Sequence, residues 1–209
     1  MISIIQSTAP FSKPKVEFEQ YCIDAVSAAD IIYFAGFEFN DIGNNLIIDL
    51  GSGTGRLSIA SAYLRANQVI GIDFDWSAIK IFKQNIKDLG LNHLINPICT
   101  NVSNFEISKK NLPDSLKITT IMNPPFGVQK RTADRAFLLK AFNFSDTIYT
   151  IHLRNEKVHD FLSKFINKNG WKINYTFPFN MKLENTFPFH SQKKKDINVK
   201  IYRITKKEK

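Results

Sequence analysis

Asn123-Pro124-Pro125-Phe126-Gly127 holds residue types suited to chemistry on a planar amino group. Two successive prolines fix the backbone and remove two amide donors, so this corner offers acceptors, the Asn123 Oδ1 and the Pro124 carbonyl, with Pro125 stiffening the turn. The lone pair of a nucleobase or amide NH2 is delocalised. Two acceptors that take both hydrogens let the nitrogen turn that lone pair toward an electrophile. Phe126 adds a face for a base to stack on, a contact worth roughly 1–3 kcal/mol. Such a displacement draws its rate from orientation and electrostatic positioning and needs no metal, and a base so treated must first leave its stack. Read alone, the same residues are also a stiff loop with a packed ring.

A second constellation lies upstream, at Asp49-Leu50-Gly51-Ser52-Gly53-Thr54-Gly55. Glycines there let the backbone turn sharply and approach a ligand closely, but the spacing is GxGxG and not the GxGxxG of dinucleotide sites. Asp49 beside the loop repels phosphate and favours a cationic amino-acid moiety such as S-adenosylmethionine carries. Asp73, about 20 residues on, is spaced to bind ribose hydroxyls. Asn101-Val102 is placed to meet an adenine edge, Asn101 through its side-chain carbonyl, and Phe74 and Trp76 are candidates to flank the ring or to pack in the core.

These residues need elements to hold them. Short apolar runs at 46–50, 69–73, 95–99, 118–122 and 147–152 read as strands, and helical spacing falls at 57–64, 77–88, 133–143 and 156–168. The alternation predicts an α/β fold with a mostly parallel sheet and helices on both faces. Residues 171–179 and 197–204 alternate apolar and polar and predict an antiparallel pair closing the sheet, joined by a basic loop over 180–195. Residues 1–40, helical mostly over 16–35, form an extension ahead of the first strand, placed to fold over the strand ends. A chain of 209 residues fits one domain.

Charge is uneven. Residues 1–150 hold 14 Lys and Arg against 14 Asp and Glu, while 151–209 hold 14 against 5, so the whole excess of +9 sits in the C-terminal part and points to a polyanion. Lys193-Lys194-Lys195 reads as a fixed basic loop or as a solvated charge run, with Phe177, Phe179, Phe187 and Phe189 nearby as stacking or core residues. Cys22 and Cys99 form no CxxC pair and the four histidines are scattered, so no zinc site or disulfide framework is expected. No stretch is apolar enough to span a bilayer, and the sequence reads as cytoplasmic.

The glycine loop with its two aspartates and the Asn-Pro-Pro-Phe corner resemble the Rossmann-like, seven-stranded class I methyltransferases. More narrowly, the chain resembles the archaeal and eukaryotic rRNA adenine-N6 methyltransferases of the small subunit, through Glu19-Gln20-Tyr21, Asp49 to Gly55, Gly71-Ile72-Asp73, Asn123 to Gly127, and His190 through Lys195. The resemblance implies S-adenosylmethionine as cofactor, structured RNA as substrate, and Gln20 and Tyr21 over the cofactor pocket. It also implies a small zinc-binding activator protein as partner, bound by strand addition. Cys22, where a proline is usual, and Asn101, where an acidic residue is usual, depart from the pattern. Candidate substrate contacts are Lys130 and Arg131 with Arg135, which read equally as exposed helix charges, His152, which reads also as a satisfied histidine at a strand end, Phe189, His190, Lys193, Lys194 and Lys195. Methylation of a protein glutamine amide, for which tyrosine replaces the corner phenylalanine, and a non-catalytic RNA-binding role are the alternatives.

Overall fold

The computed structural model describes residues 1–126, 133–184 and 194–207, without the side chains of Ala133, Leu183, Glu184, Lys194 and Lys195. Among them, seven strands form one sheet: β1 Leu46–Leu50, β2 Gln68–Asp73, β3 Ile95–Cys99, β4 Ile118–Met122, β5 Thr147–Leu153, β6 Trp171–Glu184 and β7 Lys194–Lys206. Their order is β3-β2-β1-β4-β5-β7-β6. β1 pairs in parallel with β2 and β4, β2 with β3, and β4 with β5, while β7 runs antiparallel to both β5 and β6. This is the mostly parallel α/β sheet the alternation predicts, in the seven-stranded Rossmann-like order the resemblance implies.

Helices α1 Ile2–Gln6, α2 Ala25–Tyr33, α3 Arg56–Tyr63, α4 Trp76–Asp88, α5 Ala133–Phe144 and α6 Glu156–Lys168 flank the sheet. Successive strand residues point to opposite faces. Ile47, Val69 and Ile121 therefore join one apolar cluster with α2, α3 and α4, while Ile48, Ile72 and Met122 join another with α5 and α6. Side-chain caps set the starts of α2, α4 and α6, where Asp24, Asp75 and Asn155 accept backbone N–H groups.

One expectation is corrected and another refined. β6 and β7 continue past 179 and begin before 197, so the expected loop over 180–195 shortens and Lys194 and Lys195 belong to a strand. Pairing overrides the weak strand propensity of Asn180, Lys182, Asp196 and Asn198, and the register sets Lys182 opposite Asp196 and Glu184 opposite Lys194. The extension is helical over most of 16–35, as expected, but the helix is broken between 19 and 24, where Gln20 and Tyr21 lie. A 3-10 turn spans Val16–Phe18, Glu19 follows in the left-handed region, and Gln20 to Ile23 run extended until Asp24 caps α2. Gln20 and Tyr21 thus lie outside any helix.

Farther along, the extension is bolted to the sheet. Arg203 of β7 donates through Nε to Asp41 Oδ2 at 2.7 Å and through Nη2 to Asp41 Oδ1 at 3.2 Å, and the Tyr149 hydroxyl of β5 donates to Asp41 at 2.7 Å. The Arg203 guanidinium also lies 4.3 Å from the centroid of Phe39. Among the described residues no helix is long and apolar enough to cross a membrane.

Candidate functional site

The C-terminal ends of β1, β2 and β4 open into a cleft of about 650 Å³. One wall is the glycine loop. Gly51 N and Ser52 N donate to Ile72 O at 2.8 and 2.9 Å, and Gly53 N donates to Asp73 Oδ2 at 2.9 Å, so the second strand holds the loop by backbone and carboxylate together. Gly55 has φ 92°, and a Cβ there would sit 2.1 Å from the buried Phe82 ring. Only glycine fits both constraints. Thr54 accompanies the loop, its hydroxyl 3.3 Å from Cys22 Sγ.

Asp49 ends inside the protein, 1% exposed. Ser58 Oγ donates to its Oδ2 at 2.6 Å, while Oδ1 is buried without a partner. Burial pushes this carboxyl up to about 7 against the opposing Ser58 hydrogen bonds, with the Asp73 charge adding to the rise. Burial raises Asp73 as well, opposed by the amides of Asp75 and Gly53.

Four buried side-chain atoms lack a partner among the described residues: Tyr21 Oη, Asp49 Oδ1, Ser52 Oγ and Asn123 Oδ1. All four residues line this cleft. A buried unpaired polar atom costs about 1–3 kcal/mol, so four of them around one cavity mark where a ligand supplies the partners. Two carbonyl-type acceptors and two hydroxyls suit a molecule with an ammonium, a carboxylate and an amino group. S-adenosylmethionine carries the ammonium and the carboxylate at its amino-acid end.

The opposite wall is the Asn-Pro-Pro-Phe corner at the end of β4. Asn123 and Pro125 line the cleft, and Phe126 stacks on Tyr21 with centroids 5.5 Å apart and planes inclined by 27°. Phe126 N donates to Glu19 Oε2 at 2.6 Å. Residues 11–24 cover the cleft. Phe11 lies over Gly53, Gln20 donates to Asp75 Oδ2 at 2.7 Å and accepts from Lys15 N at 3.0 Å, and Lys15 Nζ stands 3.1 Å from Asp75 Oδ1. Gln20 therefore anchors the cover with both ends of its amide. At its far end, Arg56 Nη1 donates to Ile23 O at 2.8 Å, and Lys182 N donates to Asp24 Oδ2 at 3.2 Å, joining cover to hairpin.

Other candidates fall differently. Asn101 lines the cleft beside buried Val102, but its Oδ1 already accepts from Ser103 N at 2.9 Å and Ser103 Oγ at 2.8 Å, capping the turn Val102–Asn104. Phe74 lines the cleft with its edge-on neighbour Phe18, at 4.7 Å between centroids. Trp76 stands outside the walls, exposed beneath Lys83 Nζ. His152 is an interior histidine, 2% exposed, with Nε2 2.9 Å from Thr150 Oγ1 and its basicity pushed down by burial to about 3, so the expected nucleotide contact is corrected. Phe177 and Phe179 pack into the core, Phe177 at 4.0 Å from the Phe34 centroid, and do not edge a basic loop. Gly127, Lys130, Arg131, Phe187, Phe189, His190 and Lys193 lie outside the described residues. Among the described residues no group of side chains could hold a metal ion. Glu19 and Asp75 are the functional neighbours that sequence reasoning left without a role. Asp75 carried a signal, as a cap-type residue two positions ahead of the helix expected over 77–88.

Comparison with known proteins agrees with this geometry. Residues 22–117 match the family model of ribosomal protein L11 methyltransferase (PrmA). A protein of Methanocaldococcus jannaschii is 40% identical over 207 residues, covering 97% of this chain and 91% of the relative. The crystal structure of a Pyrococcus horikoshii protein assigned as an RNA methyltransferase superposes with a TM-score of 0.86 at 33% identity, over 98% of this chain and 95% of that one. Sheet order, glycine loop and cleft together define a class I methyltransferase, a group that works with S-adenosylmethionine. Within it, the chain belongs to the family of the zebrafish rRNA N(6)-adenosine-methyltransferase METTL5, to which it is 32% identical over 97% of its length and 96% of the relative's.

Proposed function

We propose that this protein methylates N6 of an adenosine in RNA, with small-subunit rRNA as substrate. The observation that carries the reading is the unpartnered Asn123 Oδ1, buried on the cleft wall beside the Phe126–Tyr21 stack. S-adenosylmethionine, when bound, supplies an electrophilic methyl group. The glycine loop Gly51, Ser52, Gly53, Thr54 and Gly55 would receive its amino-acid end with Asp49 and Tyr21, Asp73 would take the ribose, and Phe74, Asn101 and Val102 would border the adenine, while Gln20 holds the cover to Asp75. Asn123 Oδ1 and the Pro124 carbonyl accept the two N6 hydrogens, Pro125 keeps the corner rigid, and Phe126 stacks on the flipped base. In the transfer the N–C bond would form as the methyl–sulfur bond breaks, the neutral thioether departing with the bonding electrons; Asn123 Oδ1 and the Pro124 carbonyl would stabilise the positive charge gained by the nitrogen, and one N6 proton would leave to solvent.

The relatives' RNA chemistry supports this substrate class, and so does the basic C-terminal part, where Lys194 and Lys195 belong to β7 and Lys193 precedes them in sequence. Lys130, Arg131, Phe189 and His190 complete the proposed RNA contacts. The reading also includes a single domain over 1–209, a cytoplasmic setting, and a small zinc-binding activator that adds a strand. Exposed edge strand β3, with Ile98 37% accessible, suits such an addition. Incubation with methyl-labelled cofactor and small-subunit rRNA, then digestion to nucleosides, should yield N6-methyladenosine. Asn123→Ala should cut turnover about 100- to 1,000-fold with cofactor binding kept. Label found in protein instead, or an unimpaired Asn123→Ala, would refute the reading.

A further inference from the structure

The corner shows an asymmetry. Its acceptor Asn123 Oδ1 is buried and open, whereas Phe126 N, the first backbone donor after two prolines, is capped by Glu19 Oε2 at 2.6 Å from 107 residues away. Glu19 itself has φ 51° and ψ 39°. That left-handed conformation favours glycine or asparagine, so a glutamate held there answers to a need for its side chain. The next residue but one, Tyr21, supplies the ring on which Phe126 stacks. One short stretch of the cover therefore grips Phe126 twice, by its amide and by its ring.

We propose that Glu19 is the positioning residue of the catalytic corner: its carboxylate consumes the corner's stray donor and pins Phe126 against Tyr21, leaving only acceptors facing the target amino group. Glu19 acts through Phe126 and touches neither reacting atom. An uncapped Phe126 N–H would attract the ring nitrogens of a bound base and let the loop swivel away from the stack. Closing the cover over the cofactor and setting the base-stacking ring then become one event, because Gln20, next in sequence, fastens the cover to Asp75 together with Lys15.

The inference rests on the methyl-transfer reading, and the experiment separates the two. Glu19→Ala and Glu19→Gln are compared with the unaltered protein for turnover on small-subunit rRNA, for cofactor affinity by calorimetry, and for amide exchange at Phe126 by NMR. Glu19→Ala should lower kcat about 10- to 100-fold, the equivalent of one lost hydrogen bond to a charged group, with cofactor affinity within about threefold. Glu19→Gln keeps an acceptor oxygen in place and should restore turnover and slow exchange. Normal turnover in Glu19→Ala, equal impairment of both variants, or a loss explained by weaker cofactor binding overturns the proposal. Should the unaltered protein leave rRNA unmethylated, the functional reading falls. The exchange comparison then decides alone, and an unchanged Phe126 rate in Glu19→Ala overturns the role of Glu19.

Discussion

Asp49 makes cofactor binding a proton-linked event. Its carboxyl is pushed from 3.8 up to about 7 by full burial, with Oδ1 unpaired in the cleft. Each pH unit corresponds to about 1.4 kcal/mol, so this group withholds on the order of 4 kcal/mol from the cofactor-free fold once it ionises. The sign follows from a raised carboxyl: its stabilising contribution is complete below 3.8 and disappears as pH climbs through about 7. A bound ammonium needs the ionised form. Affinity for S-adenosylmethionine should therefore rise about tenfold from pH 6 to pH 8 and level off above, with one proton released per molecule bound at pH 6. Calorimetry in buffers of different ionisation enthalpy measures both quantities. Asp49→Asn should bind more weakly and without that dependence. An affinity flat across this range, or the same pH profile in Asp49→Asn, would refute the reasoning.

Two further perturbations test the scaffold. Gly55→Ala forces a side chain into φ 92° and to 2.1 Å from Phe82, and should cost about 2–4 kcal/mol in urea unfolding along with cofactor binding; a loss below about 1 kcal/mol would show that the loop can shift. Arg203→Met leaves the Asp41 carboxylate, of which 12% is accessible, without its ion pair, and should lower stability by about 2–4 kcal/mol at pH 7, whereas no change would mean the Tyr149 hydroxyl suffices.

The strands β1, β3 and β4 were legible to the residue, because unbroken apolar runs bounded by turn residues admit few other readings. So was the glycine loop, since its punctuation is local. The hairpin ends were not: Asn180 and Asn198 are paired by ladder bonds that no propensity announces. Gln20 was expected over the pocket, and it lines the cleft, yet its amide is spent on Asp75, 55 residues away. Asn101 also lines the cleft with its carbonyl already engaged, and of the two readings open for His152 the satisfied interior histidine holds. A polar side chain in sequence shows its chemistry but not whether a neighbour, here Ser103 or Thr150, has already taken it.

The fastenings of residues 11–24 run downstream from Thr54 and Arg56 to Asp75, Phe126 and finally Lys182, 158 residues beyond Asp24. Contacts of such span form late, after loop-closure entropy has been met by the sheet. A half-folded chain with β1 to β4 in place would own the glycine loop but no finished cavity. The bond from Lys182 N to Asp24 then ties the roof of the site to the last hairpin, so finishing the sheet and finishing the site are linked steps.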